Sequence, residues 1–296
     1  IEEKVNNFLK APNESINLGN IGTINLKEKI KIFWGDEQIG FLTKGNKIYS
    51  PIAEAFNSEY LSSENKLIVS SKLQNWIDLK IQDELKLLKN IIDENISSQT
   101  RAITYNVYEK LGTLQIKEFS NFLKNIDTES KTSLSKLGIR IGAKYFFMPN
   151  FLKKSSMELC AVLWSVFTDL SFDGNLPLPK DGRVSFIPHI KMPEDYWSSI
   201  GYINLNDFAL RVDVFERIFF LARHKIKTGS FIESADLMNP IGCNSDQLAN
   251  ILSFCGMENL TLGNEKKLFY LKEKNQKIPK KNIKIKKKKI PNKNKL

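Results

Sequence analysis

The run L-G-I-R-I-G-A-K-Y-F-F-M-P-N-F-L-K-K-S-S-M-E-L-C-A-V-L-W-S-V-F-T-D-L, Leu137 to Leu170, decides how the rest of the chain is read. Ile139, Ile141, Ala143, Tyr145 and Phe147 alternate with Arg140, Gly142 and Lys144, which is the period of a half-buried strand. Pro149 has no N–H to donate and ends that ladder. Ser155 with Glu158 three residues on reads as a capping box before an apolar run. Met157 to Leu170 is apolar on nearly every helical face, so this helix is expected to be surrounded by protein. Glu158, Ser165 and Asp169 interrupt it, and it is too short to cross a bilayer.

Upstream, I-K-I-F-W, Q-I-G-F-L-T and K-I-Y-S between Lys29 and Ser50 predict three short strands joined by tight turns. Pro51 to Ser63 reads as irregular or weakly helical. Leu73, Trp76, Ile77, Ile81, Leu85, Leu88 and Ile92 recur at helical spacing and predict an amphipathic helix from Ser71 to Ile92. Two more helices are expected near Ser97–Leu111 and Ile116–Leu137, the second closed by Gly138.

Downstream, Asp173 to Pro193 reads as a long ordered loop with one short strand. Asn206 or Asp207 is expected to cap a helix reaching Arg223, with Asp213 and Arg217 spaced for a surface ion pair. Ser234 opens a short helix limited by Pro240. Asn244 and Gln247 form a capping box for another, with Leu248, Ile251, Leu252 and Cys255 as its buried stripe and Gly256 closing it. A hairpin follows from Leu260 to Leu271. The expected class is α+β, mostly helical: a β-rich segment at 1–70, a helical accessory domain at 71–230, a winged-helix-like module at 231–271 and a disordered lysine-rich tail at 272–296.

Charge is unevenly spread. The chain carries 44 Lys plus Arg against 33 Asp plus Glu, but Lys272 to Leu296 alone holds 12 Lys and one acid. The body is electrically balanced, so any polyanion site in it has to be built locally. The opening I-E-E-K-V-N-N-F-L-K has no apolar core of a signal peptide. Cys160, Cys243 and Cys255 lack metal-ligand spacing and read as buried thiols of a reducing, cytoplasmic compartment.

Catalytic signals are thin. Gly40 to Gly45 has the glycine spacing of a phosphate-binding loop, but Asn46-Lys47 follows where Lys and Ser/Thr are needed, so a hairpin turn is expected there. Asp36-Glu37-Gln38-Ile39 resembles a D-E-x-x box but follows Gly35 in a turn. His189 and His224 are read as structural. For phosphate contact the expected residues are Arg140 and Lys144, read as sharing one strand face across Gly142, then Lys153 and Lys154 before the buried helix, and Arg183. The tail adds Lys280, Lys281, Lys284, Lys286, Lys287, Lys288 and Lys289, whose density favours salt-sensitive, sequence-independent binding. A solvated strand face and a solubilising tail are the plain alternatives. Asp246, Gln247, Asn250 and Ser253 put no cation on the exposed side of the last helix, which speaks against groove reading.

A longer series points to a family. L-G-I-R-I-G at 137–142, Pro149, Leu152-Lys153 and Leu163-Trp164 are followed by Leu176-Pro-Leu-Pro179, Gly182-Arg-Val-Ser185, Pro193, Tyr196 and Gly201-Tyr202. Ala209-Leu-Arg-Val-Asp213, Glu216-Arg217, Gly229-Ser-Phe231, Leu237-Met238, Gly242-Cys243 and Cys255-Gly-Met257 complete it, with Phe33-Trp34-Gly35 a looser match upstream. In this order they resemble the region after the motor in bacterial Suv-three-like helicases, relatives of the mitochondrial degradosome RNA helicase. The resemblance implies an accessory C-terminal region of an ATP-dependent RNA helicase, with RNA as partner. It places the motor domains before Ile1 in the same polypeptide, with ATP and magnesium expected only there. No motor residue is carried over onto these positions. A non-enzymatic winged-helix regulator and a protein-interaction scaffold are the competing readings.

Overall fold

The computed structural model describes residues 2–24, 28–57, 61–86, 96–119, 126–168, 174–180, 182–206, 208–263 and 265–271. The architecture is α+β, with helices packed around small antiparallel sheets. The lysine-rich tail, and with it every tail lysine named above, lies outside the described residues.

Helix α1 (Glu2–Lys10) leads into a meander of β1 (Ile16–Asn17), β2 (Ile30–Trp34), β3 (Glu37–Lys47) and β4 (Ser50–Ala55), ordered β1-β2-β3-β4. The third expected strand is displaced: Pro51 to Ala55, read as irregular, belongs to β4. Pro51 and Ala53 are buried while Ile52 and Glu54 face out, and a six-residue strand with two small residues carried too little apolar alternation to be seen. Helix α2 (Ser63–Leu85) covers the meander. It starts eight residues before the expected Ser71, capped by Ser62, whose hydroxyl accepts the Asn65 N–H. Val69, Leu73, Trp76, Ile77, Ile81 and Leu85 form its buried stripe. The expected continuation through Leu88 and Ile92 lies outside the described residues. Two side chains of α2, Ser70 and Gln74, accept the N–H groups of Ala55 and Ala53, which blocks the free edge of β4.

Lys72 of α2 also closes the end of α1. Its ammonium donates to the carbonyls of Phe8, Leu9 and Ala11 at 2.6, 3.0 and 2.6 Å. These are the acceptors a helix C-terminus leaves unmet. Partial burial draws the Lys72 pKa down.

Helix α3 (Ser98–Glu109) precedes β5 (Thr113–Gln115), and α4 (Thr128–Lys136) precedes β6 (Arg140–Ile141) and β7 (Tyr145–Phe147). The single helix expected over 116–137 is thus limited, among the described residues, to a 3-10 turn at Ile116–Phe119 and to α4. Gly138 closes α4 at φ 81°, with the N–H of Gly138 on the Ser135 carbonyl and that of Ile139 on the Leu134 carbonyl. The single strand expected at 139–147 is a hairpin. β6 and β7 pair Arg140 with Phe147 and Ile141 with Phe146, and the sheet order is β5-β7-β6. Helix α5 (Lys154–Thr168) follows, and Cys160 to Trp164 are all buried. It begins at Lys154, so Ser155 sits inside the helix rather than capping it and donates to Glu84 at 2.6 Å.

The remaining elements are β8 (Ser185–Phe186), α6 (Glu194–Ser199), β9 (Tyr202–Leu205), β10 (Phe208–Arg211) and α7 (Val212–Ile226). They are followed by β11 (Phe231–Ile232), α8 (Ala235–Met238), α9 (Ser245–Phe254), β12 (Glu258–Thr261) and β13 (Lys267–Tyr270). The helix expected from residue 206 onward starts only at Val212, because Phe208–Arg211 pairs with both β8 and β9. Phe208, Ala209 and Leu210 are all buried, so this strand shows no alternation. The last two helices, the Asn244–Gln247 capping box and the hairpin stand where expected.

Two cores result. The larger runs from Phe8 to Ala209 and crosses position 70 without a break; the smaller gathers Ile203 to Phe269. β7 feeds both, with Phe146 in the first and Tyr145 and Phe147 in the second.

Replacing Lys72 by Met leaves three carbonyls at the end of α1, those of Phe8, Leu9 and the following Ala11, without their donor. Loss of about 1–3 kcal/mol is expected in urea denaturation, against no measurable change for the exposed Lys4→Met.

Candidate nucleic-acid interface

The turn joining β6 to β7 is held by a side chain more than 70 residues away. Oε2 of Glu216 accepts the Ala143 N–H at 2.6 Å, and Oε1 accepts those of Lys144 and Tyr145 at 2.8 and 2.7 Å. Gly142 N–H closes the turn on the Tyr145 carbonyl at 2.8 Å. A Cβ at Gly142 would lie 2.4–2.7 Å from the Glu216 carboxyl atoms, so only glycine fits. Burial pushes the Glu216 pKa up, while the three N–H groups and Lys144 pull it down.

This corrects the expected arrangement of Arg140 and Lys144. They do not share one face of a continuous strand, and the space beside Gly142 is taken by Glu216 rather than open to a phosphate. What the turn does is carry Lys144 onto α7. Its Nζ lies 5.2 Å from the centre of the Phe219 ring, and the Arg223 guanidinium lies 5.8 Å from the same ring. Phe219 stacks on Phe215, which meets Tyr145 and Phe254 edge-on.

Along α7, Arg217, Phe220, Arg223, His224 and Lys227 are exposed, and Phe220 is 69% accessible. Positions three and four apart share a helical face, so these residues form one strip of cations around a ring. Sequence reading missed it because Arg217 was assigned to Asp213. Asp213 instead takes both Nε and Nη2 of Arg211 at 2.7 and 3.0 Å, leaving Arg217 at the surface. The helical spacing of 217, 220, 224 and 227 was the signal available.

The other expected residues lie elsewhere. Arg140 is exposed on β6. Lys153 is exposed just before α5, and Lys154 is exposed at its first position. Arg183 is exposed in a turn, where its carbonyl accepts the Tyr202 hydroxyl at 2.7 Å. Among the described residues, no hydrogen bond, ion pair or ring contact joins Lys153 or Arg183 to Lys144. On α9, Asp246 is paired with Lys267 of β13.

The rejected motifs also resolve. Gly40 to Gly45 lies inside β3, not in a turn, and Gly40 packs against the Glu54 carbonyl and Leu73. Gly35 and Asp36 form the turn between β2 and β3. The His189 Nε2 lies 3.2 Å from the Asn175 carbonyl, and His224 is in the last turn of α7. Burial raises all three thiols, Cys243 to about 11, Cys255 to about 12 and the enclosed Cys160 furthest, so none is poised as a nucleophile. Among the described residues, no group of three or more His, Cys, Asp or Glu is placed to hold a metal ion, and no helix is long and apolar enough to cross a membrane. No family model, no curated protein and no solved structure matches this chain.

Glu216→Ala leaves three partly buried N–H groups without an acceptor and is expected to cost about 2–3 kcal/mol in chemical denaturation. The pH dependence has a definite sign. The folded Glu216 holds its proton above its ordinary value of 4.5, so its contribution is greatest below that value and declines as pH rises through the folded pKa. Glu216→Gln does not titrate, and a plot of stability against pH should lose that slope.

Proposed function

We propose that this chain is a non-catalytic, RNA-contacting accessory region of a cytoplasmic ATP-dependent RNA helicase. Its motor, with ATP and magnesium, lies in the same polypeptide. The helicase assignment rests on the ordered residue series from Leu137 to Met257. The RNA contact rests on one observation: the α7 strip, where Arg217, Arg223 and Lys227 share a helical face with the exposed Phe220, and Lys144 and Arg223 lie over the buried Phe219. Cations that take phosphates beside an aromatic face that takes a base suit a single strand of any sequence.

Residues 231–271 are read as a winged-helix-like module. The order β11, α8, α9, β12, β13 with a sheet ordered β11-β13-β12 supports that reading. The cations lie on α7, ahead of this module, and not on α9, the helix that would enter a duplex groove. A helper that steadies a strand beside a motor needs this distribution; a regulator reading one duplex sequence needs the opposite. The tail lysines, Lys280, Lys281, Lys284 and Lys286–Lys289, add a dense run of positive charge to the same task.

Binding of a labelled single-stranded oligoribonucleotide, followed by fluorescence anisotropy in rising KCl, tests this. Arg217→Gln/Phe220→Ala/Arg223→Gln is expected to weaken binding about tenfold or more and to lower the salt slope by about 1.4. Removing residues 272–296 should lower the slope further. A triple variant that binds as wild type would refute the α7 contact.

A further inference from the structure

A second cluster of lysines and rings lies at the far end of β3, with no part in the α7 strip. β3 pairs regularly with β4 as far as Thr43 opposite Ile52, then slips before Lys47 meets Ser50. Lys44, Gly45 and Asn46 therefore face Pro51 alone. Pro51 has no N–H to give, so the ladder has nothing to hold it in register there. Gly45 permits the slip: a Cβ on it would come within 1.8 Å of the Ser50 carbonyl oxygen.

The slip throws both lysines onto aromatic rings from other elements. Lys44 Nζ lies 4.8 Å from the centre of Phe167, in the last turn of α5. Lys47 Nζ lies 5.6 Å from Tyr49 and 5.9 Å from Tyr105 of α3. Tyr105 is 42% exposed, and Glu109, one turn along, raises its pKa. Arg101, one turn before Tyr105, is exposed on the same helical face.

We propose that the β3–β4 tip, with Lys44, Lys47, Arg101 and Tyr105, is a second contact for single-stranded RNA. A base stacks on Tyr105 while Lys44, Lys47 and Arg101 take the flanking phosphates. The proposal rests on the reading of this chain as an RNA-binding region and adds a site to it. The lysines sit over rings because the bulge puts them there; a phosphate beside them draws the same ammonium groups outward and frees the ring face for a base. Short cation arms beside a sequence-tolerant stacking ring fit a single strand better than a duplex, whose bases present no faces.

The full 296-residue chain is titrated with a fluorescein-labelled oligouridylate in rising KCl. Tyr105→Ala is expected to weaken binding about tenfold, and Tyr105→Phe, which keeps the ring, to bind like wild type. Lys44→Gln/Lys47→Gln is expected to reduce the salt slope by about 1.4. Unchanged melting temperatures for these surface variants show that the fold is kept. The α7 triple variant is run beside them. If Tyr105→Ala binds as wild type, this inference is overturned, even where the α7 variant weakens. If the wild-type chain binds no RNA, the earlier reading falls and takes this one with it. If only the α7 variant is unaffected, the α7 contact is removed and the tip remains.

Discussion

The Glu216 carboxylate takes the N–H groups of three consecutive residues, Ala143, Lys144 and Tyr145, and most of the local geometry follows from that demand. A carboxylate this far from solvent is tolerated only when its oxygens are met by donors. Three successive peptide N–H groups converging on one point make an anion-binding concavity of the kind that elsewhere cradles phosphate. Here the anion is supplied by α7. That single substitution of a protein carboxylate for a ligand changes the meaning of Gly142. The glycine is small to admit Glu216, and the lysine beside it is turned outward onto Phe219.

The same contact joins the two cores. β7 is three residues long, and its side chains divide between them: Phe146 on one side, Tyr145 and Phe147 on the other. A strand this short makes few ladder bonds, so its register against β5 and β6 needs support from outside the sheet. Glu216 provides it at the N-terminal end of β7, and the edge-on contact of Tyr145 with Phe215, the residue before Glu216 on α7, adds to it. The α7 strip is therefore rigidly placed relative to the first core, although it belongs to the second.

Legibility tracked the length scale of each signal. Helix closures and one cap were readable because they depend on neighbours in sequence: Asn244 with Gln247, and the glycines at 138 and 256, stand as expected, whereas the caps read at Ser155 and at 206–207 do not. Strands buried on both faces were not readable, because Phe208, Ala209 and Leu210 offer no alternation to distinguish strand from helix. Ile139 to Phe147 did alternate, yet the alternation belongs to a hairpin whose turn is fixed by a residue outside the window. Lys144 was expected beside an open Gly142, and the structure places it over Phe219 instead. The α7 strip was missed because i, i+4 spacing joined Arg217 to Asp213, while Arg211, two residues before Asp213, offered a bidentate pair that wins on geometry.

The balance of charge limits how the body can attract any polyanion. With its acids and bases equal in number outside the tail, the folded part has no long-range field to gather a polyanion. Attraction must come from within a screening length of a local cluster. α7 meets that condition by committing its two acids elsewhere: Asp213 is consumed by Arg211, and Glu216 is turned inward to the backbone. The cations left on its outer face are thereby uncompensated along the helix. The buried carboxylate thus acts twice, once as the acceptor that fixes the hairpin and once as an acid withdrawn from the surface. Both effects come from one residue pointing inward, which is why this helix, and not α9, is the face suited to a phosphate backbone.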